Sequence, residues 1–403
     1  MQQLSSPERT LVERIDPAAM LVQVEGWSAL NTGTANLAGL VEQAARLADA
    51  FAVLPGEIRL DEPAPVTAIM PDGRSAEVAH GRHLVLSVRP DAPRRLLLTG
   101  HMDTVFPPGH PFQQSRWLDG ETLNGPGVAD MKGGIAVMLA ALTAFEHDAA
   151  ALQCGYDVLV NSDEETGSLS SAPLIAHLAA GKFAALTYEP SALPDGTLAG
   201  ERPGSGNYSM IITGKSAHAG RNPHDGRNAI VAAAAITLGL KALERDGLSI
   251  NPARIDGGGP NNVVPDHAVL RFNIRPRQTV IAEEFRLNLN ILIKHISAEH
   301  EVLVHVHGGI TRPPKSLDPP AERLFALVRD CGAALGQQIR WQRSGGVCDG
   351  NNIAACGVPV VDTLGVRGGA IHTAEEYLIV PSLAERAALS ALILHRLAAG
   401  EVP

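Results

Sequence analysis

Two short stretches carry residue types suited to divalent metal: Gly100-His101-Met102-Asp103-Thr104-Val105 and Asp163-Glu164-Glu165-Thr166-Gly167-Ser168, each just after an apolar run. A histidine with a carboxylate two residues on, and two adjacent carboxylates, can hold zinc and activate a water on it. In extended backbone, residues i and i+2 point the same way. Asp103 can therefore reach the His101 imidazole, fix its tautomer and raise its basicity. Adjacent carboxylates repel unless a cation or a proton intervenes. With metal present, Glu165 can serve as a ligand while Glu164 takes a proton from water and passes it to a leaving amine.

Three more residues complete the candidate set. Asp130 follows Asn124-Gly125-Pro126-Gly127-Val128-Ala129 and can either cap a helix or, as a ligand, bridge two metals through its two oxygens. Glu189 follows an expected core strand, and His372 lies in the Gly-rich Gly368-Gly369-Ala370-Ile371-His372-Thr373. Two zinc ions bring four positive charges; Asp130, Glu165, Glu189 and a hydroxide balance them. With His101 and His372, each metal gains two ligands of its own plus a shared aspartate, which suits tetrahedral zinc, with cobalt or manganese as substitutes. Gly125-x-Gly127 ahead of a helix, with Glu146 further on, imitates a dinucleotide fingerprint. Asp130 at the third small position and a polar turn at 119–124 in place of a strand argue against it.

The elements that position these residues alternate between strand and helix. Leu37 to Phe51 has helical apolar spacing, and His83 to Arg89, Arg95 to Thr99, Tyr156 to Asn161 and Ala184 to Tyr188 read as strands. Helices are expected at Met131 to Phe145 and Ser170 to Leu178. This order predicts an α/β layer with a largely parallel sheet. A Gly- and Pro-rich stretch, Pro194 to Gly206, marks a crossing into a different pattern: strands at Asn207 to Thr213, His267 to Arg275 and Glu301 to His307, with helices at Asp225 to Leu243 and Ile281 to Ile296. Two helices on an antiparallel sheet fit that order. From Thr311 the first pattern resumes, with a helix at Ala321 to Gly336, a strand at Val358 to Val361 and a last helix at Leu383 to Ala399. The expected organisation is a catalytic domain of residues 1–202 and 311–403 interrupted by an α+β domain of residues 203–310.

With 403 residues the chain is long enough for two cores. A net charge of −10 without a Lys/Arg cluster argues against a nucleic-acid partner. Neither an apolar run of about 18 residues nor a signal-like N-terminus is evident, so a cytoplasmic protein without a membrane span is expected. Four scattered cysteines, Cys154, Cys331, Cys348 and Cys356, suit reduced packing residues.

Together with Gly125-Pro126-Gly127-Val128-Ala129-Asp130-Met131-Lys132-Gly133-Gly134 and Gly214-Lys215-Ser216-Ala217-His218-Ala219-Gly220, the two opening stretches form an ordered set. This set resembles the zinc peptidase family of glutamate carboxypeptidase, acetylornithine deacetylase, succinyl-diaminopimelate desuccinylase and aminoacylase, from about Trp27 to the C-terminus. The resemblance implies one zinc on His101, Asp130 and Glu189 and another on Asp130, Glu165 and His372. It also implies Glu164 as general base and then acid, Asp103 as partner of His101, and a cis bond between Asp130 and Met131. The inserted domain would be a dimerisation lid whose His218 enters the partner subunit's site of a homodimer and stabilises an oxyanion. Asn262 would hydrogen-bond the substrate. Arg275 matches the position that binds the carboxylate of a C-terminal residue, and Arg312 is a candidate second clamp. Glu189 in Glu189-Pro190-Ser191 leans toward the carboxypeptidase and deacylase branches, whereas the loop at Cys348 and Asn351 departs from the carboxypeptidase pattern. The expected substrate is a small peptide or an N-acyl amino acid. A carboxypeptidase-like exopeptidase leads, with an acetylornithine-type deacylase and an inactive metal-binding homologue as alternatives.

Overall fold

Residues 4–401 are described by a computed structural model. A six-stranded sheet has the order Glu57–Asp61, His83–Val88, Cys154–Asn161, Arg94–His101, Ala184–Thr187, Val360–Val361. Its last four strands are parallel, and the first two join by antiparallel pairing. Successive side chains along the inner strands enter opposite cores. Leu96, Leu98, Val158 and Val160 pack under the helices Gly133–Phe145 and Ser382–Ala399, while Val85, Leu97 and Leu159 pack with Ile175 and Ile353 on the other face. Burial on both faces explains why these strands read as continuous apolar runs.

The parallel register places the site. His101 is paired with Asn161, and Thr99 with Thr187, so the chain leaves three neighbouring strands at the same edge of the sheet. His101, Glu164–Glu165 and Glu189 follow within a few residues of those ends, where parallel α/β sheets bind ligands.

The insertion is a separate layer. Its antiparallel sheet has the order Leu248–Gly257, His267–Pro276, Ser205–Thr213, Leu303–Arg312, and the helices Ala229–Ala242 and Thr279–His300 cover one face. Met210, Ile212, Ala233, Ile236, Phe272 and Phe285 form its own core. A hairpin of the first layer, Val66–Ile69 with Ser75–Val78, reaches it: Arg271 donates to the Ile69 carbonyl at 2.8 Å.

Several expectations are corrected. The edge strand Leu248–Gly257 was absent from the expected pattern because its outer residues are solvated, and Pro252 sits at a break in its register. The Ala229–Ala242 helix begins later than Asp225 because Asn228 caps it, accepting from the Ile230 and Val231 amides. The stretch 119–124 is not wholly a turn: Thr122–Asn124 is a short strand in a small antiparallel sheet with Arg116–Trp117, Gly368–Gly369 and Tyr377–Ile379. That pairing does not make it the parallel strand a dinucleotide fingerprint needs. Val128–Phe145 reaches the length and mean hydropathy of a membrane-crossing helix, but it includes Asp130 and Lys132, its regular helix is only Gly133–Phe145, and 89% of it is buried inside the fold. No disulfide joins the four cysteines.

Candidate metal centre

His101 is 1% exposed and held from both sides. Its Nδ1 lies 3.1 Å from the Asp103 carbonyl oxygen and 3.3 Å from Asp103 Oδ1. A proton on Nδ1 leaves Nε2 as a lone-pair donor. That nitrogen faces Asp130 Oδ1 at 3.1 Å and Glu189 Oε2 at 3.7 Å. Asp103 has a second task not legible in its spacing. Its oxygens accept from the Glu164 and Glu165 amides at 3.2 Å each and from Thr34 Oγ1 at 2.7 Å. One buried carboxylate thus ties the His101 strand end to the turn that carries the adjacent glutamates.

Asp130 turns its other oxygen, Oδ2, to His372 Nε2 at 3.3 Å, and Glu165 Oε2 meets the same nitrogen at 3.1 Å. The Asp130–Met131 bond is cis. Asp130 lies in an irregular turn, Val128–Lys132, and the regular helix starts at Gly133. Gly127 makes the turn at a φ of 72°, which a side chain would strain. A Cβ on Gly134 would collide with the Tyr188 carbonyl, so the helix can sit against the strand end that carries Glu189 only without one.

Glu376, given no role by its sequence context, fixes this turn. Its carboxylate is buried and accepts three backbone N–H groups: Ala129 and Asp130 on Oε1 at 3.0 Å each, and Gly127 on Oε2 at 3.2 Å. It lies four positions after His372. One loop therefore supplies a candidate ligand and the strap that holds another. Asp163 is likewise structural, accepting from the Ser170 amide and from the Ser170 and Ser171 hydroxyls at 2.6 to 2.8 Å.

The donor set fits divalent cations. Ligand atoms of His101, Asp130 and Glu165 lie within 4.8 Å of one another, as do those of His101, Glu164 and Glu189. Burial pushes the carboxyls of Glu165 and Glu189 up to about 8, and nearby Asp130 adds to it. Hydrogen bonds to Asp130 and Glu165 push His372 up to about 11. Burial works to raise the Asp130 pKa, but the two imidazoles outweigh it and hold that carboxyl well below its ordinary value. Carboxylates this crowded need positive charge that two histidines supply only by protonation, and cations bound there would supply it directly. Burial also pushes Glu164 up to about 7, opposed by Arg312. A cavity of about 470 Å³ opens over Asp130, Glu164, Glu189 and His372, with Arg202 and Cys348 in its walls.

The profile of peptidase family M20/M25/M40 matches residues 97–396. The chain belongs to this family. It is similar to carboxypeptidase G2 of Pseudomonas sp. (strain RS-16), with 30% identity over 339 residues covering 81% of this chain and 80% of the relative. It is also similar to a succinyl-diaminopimelate desuccinylase of Halorhodospira halophila, with 31% identity over 327 residues covering 74% and 82%. The fold matches a tripeptidase of Staphylococcus aureus with a TM-score of 0.74 at 22% identity, over 96% of this chain and all of that one. Membership makes the protein a metal-dependent hydrolase of the peptidase and amidohydrolase kind.

The remaining expected site residues divide. Arg275 is half-buried on the His267–Pro276 strand; its Nε donates to Asn273 Oδ1 at 2.9 Å, and no carboxylate pairs with it among the described residues. Burial and the neighbouring Arg312 lower its pKa. Arg312 does not stand free as a second clamp. It is 5% exposed, and its Nη2 lies 2.7 Å from Glu164 Oε1, 2.9 Å from the Glu164 carbonyl and 2.7 Å from Ser168 Oγ. His218 and Asn262 are exposed on adjoining turns of the insertion, joined by the Ala219 amide donating to the Asn262 carbonyl at 2.9 Å. Neither residue lines the cavity. His218 Nδ1 accepts from the Gly220 and Arg221 amides, which leaves Nε2–H as an outward donor.

Proposed function

We propose that this chain is a two-metal amidohydrolase that releases an amino acid with a free carboxylate, acting as a glutamate carboxypeptidase-like exopeptidase. The observation that carries the reading is Asp130, with one oxygen toward His101 and the other toward His372. His101, Asp130 and Glu189 would hold one zinc, and Asp130, Glu165 and His372 the other, with cobalt or manganese as substitutes. Cations held there would supply Lewis-acid chemistry, polarising the scissile carbonyl and lowering the pKa of water toward neutrality.

The side chains perform the rest. Glu164 takes the proton of the attacking water and delivers it to the leaving nitrogen. Asp103 keeps the His101 tautomer. Arg275, a half-buried cation without a carboxylate partner, receives the carboxylate of the released amino acid. The outward Nε2–H of His218 reaches a second subunit's site to hold the oxyanion, and Asn262 beside it hydrogen-bonds the substrate.

That arrangement requires a homodimer built through the insertion, here residues 203–310 between the catalytic segments 1–202 and 311–403. Leu238, Ile291 and Leu303 stand 73%, 66% and 64% exposed on its helices and edge strand, apolar surface that a second copy would cover. A cytoplasmic location fits the four unpaired cysteines. The desuccinylase relatives support a second reading, N-acyl amino acid deacylation. Peptides ending in glutamate or aspartate, assayed against acetyl- and succinyl-amino acids with zinc and cobalt added separately, separate the two. Turnover of the peptides alone supports the first reading, and turnover of the acyl amino acids alone replaces it with the second.

A further inference from the structure

We propose that Arg312 is a positioning residue for Glu164, carried to the catalytic base by the last strand of the inserted domain. The inference rests on the role given to Glu164 above. Arg312 ends the Leu303–Arg312 strand, opposite Ser205, where the chain enters the insertion. The crossing is fixed from outside as well: Asn351 Nδ2 donates to the Pro203 carbonyl at 2.9 Å and to the Pro313 carbonyl at 2.8 Å. Backbone at both crossings is therefore anchored to the catalytic layer.

A substrate clamp needs positive charge to spare, and Arg312 has none. Glu164 Oε1 lies at 2.7 Å and Asp349 Oδ1 at 3.5 Å, two carboxylates against one guanidinium. Ser168 completes the seat, accepting from Arg312 and donating to Asp349 Oδ1 at 2.5 Å. Asn161, at the end of the strand before the glutamate turn, donates to the other Asp349 oxygen. Arg312 also donates to the Glu164 carbonyl and stands at ion-pair distance from its Oε1, so it meets the base at both main chain and side chain. Its Nε and Glu164 Oε1 are both buried without a hydrogen-bond partner. The cation free to meet a substrate carboxylate is the neighbouring Arg275. Because Arg312 ends the strand by which the chain leaves the insertion, its hold on the Glu164 side chain depends on that strand being seated against the catalytic layer, while Asp103 holds the Glu164 amide.

The test uses Arg312→Lys, Arg312→Met and Ser168→Ala in the full-length, zinc-loaded protein, with Glu164→Gln alongside. Misplacing a catalytic group by about 1 Å costs on the order of 100-fold. The expected result is a fall in kcat of that order for Arg312→Met and a smaller fall for Arg312→Lys and Ser168→Ala. KM should stay within about twofold. Crystal structures of the Lys and Ala variants should show the Glu164 carboxylate displaced by about 1 Å, a readout that needs no substrate. A tenfold rise in KM with kcat intact would make Arg312 a substrate clamp and overturn the proposal, as would an unmoved Glu164 in both structures. If Arg312→Met does not fold, the other two variants decide. Turnover retained by Glu164→Gln would remove the role of Glu164 itself, a failure distinct from that of Arg312.

Discussion

Replacing Glu376 with glutamine tests whether Asp130, the proposed shared ligand, is placed by a strap remote from the proposed metal positions. The carboxylate accepts three buried amides, two on Oε1 and one on Oε2. Glutamine can keep its oxygen toward Ala129 and Asp130, but it then points an N–H₂ at the Gly127 amide, two donors face to face. One charge-assisted bond is lost and one buried N–H is left unpaired, which costs about 2 kcal/mol. The melting temperature should fall by roughly 2 °C. The 127–130 turn also orients Asp130, so zinc affinity should drop about 10- to 100-fold, as when outer supports of ligands are removed. Differential scanning calorimetry and chelator competition measure the two effects separately. An unchanged melting temperature together with unchanged zinc affinity would refute the reasoning. Affinity lost without a loss of stability would show that Glu376 acts on the cations and not through the turn.

Further outcomes follow from the same geometry. Asp103→Asn puts a donor in place of one of two oxygens, either the one facing His101 Nδ1 and the Glu164 amide or the one facing the Glu165 amide and Thr34; zinc affinity should fall about 10-fold or more, with turnover reduced further, as titration calorimetry and kinetics will show. Metal-stripped protein should lose stability as pH rises. Glu165 and Glu189 have folded pKa values of about 8 against an ordinary 4.5, so the native state holds extra protons between those values. Their stabilisation is present below the ordinary value and is lost as pH approaches 8, at about 1.4 kcal/mol per pH unit for each extra proton. Melting curves at pH 6 and pH 8 should show the loss, and saturating zinc should abolish it; a rise in stability over that range would contradict the assignment. His218→Ala should lower kcat by about 100-fold without releasing metal. Mixing it with Glu164→Gln should restore part of the activity through hybrid dimers, whereas a strict monomer by sedimentation would remove the in-trans role.

Much of the candidate site's convergence was legible because a parallel sheet concentrates it. Apolar runs marked the strands, and the residues just after them, His101, Glu164, Glu165 and Glu189, converge once those strands lie side by side. Asp130 and His372 needed the charge argument, since a turn and a Gly-rich loop carry no periodicity of their own. What escaped was what holds the ligands. Glu376 acts through three main-chain amides, and Asp349 through Asn161, Ser168 and Arg312, partners up to 188 residues away in the chain. Arg312 looked like a free cation because nothing in its local sequence tells where Glu164 will stand. The short accessory strands were missed for another reason: two or three residues are too few to show alternation.

The most direct test is metal stoichiometry read beside turnover, by inductively coupled plasma mass spectrometry on wild-type protein and Glu164→Gln after zinc loading and desalting. Two zinc ions per chain are expected in both proteins, with hydrolysis of the substrate panel in the wild type alone. Full activity with a single bound metal would contradict the shared role of Asp130, and hydrolysis by Glu164→Gln would contradict the division of labour between the two adjacent glutamates.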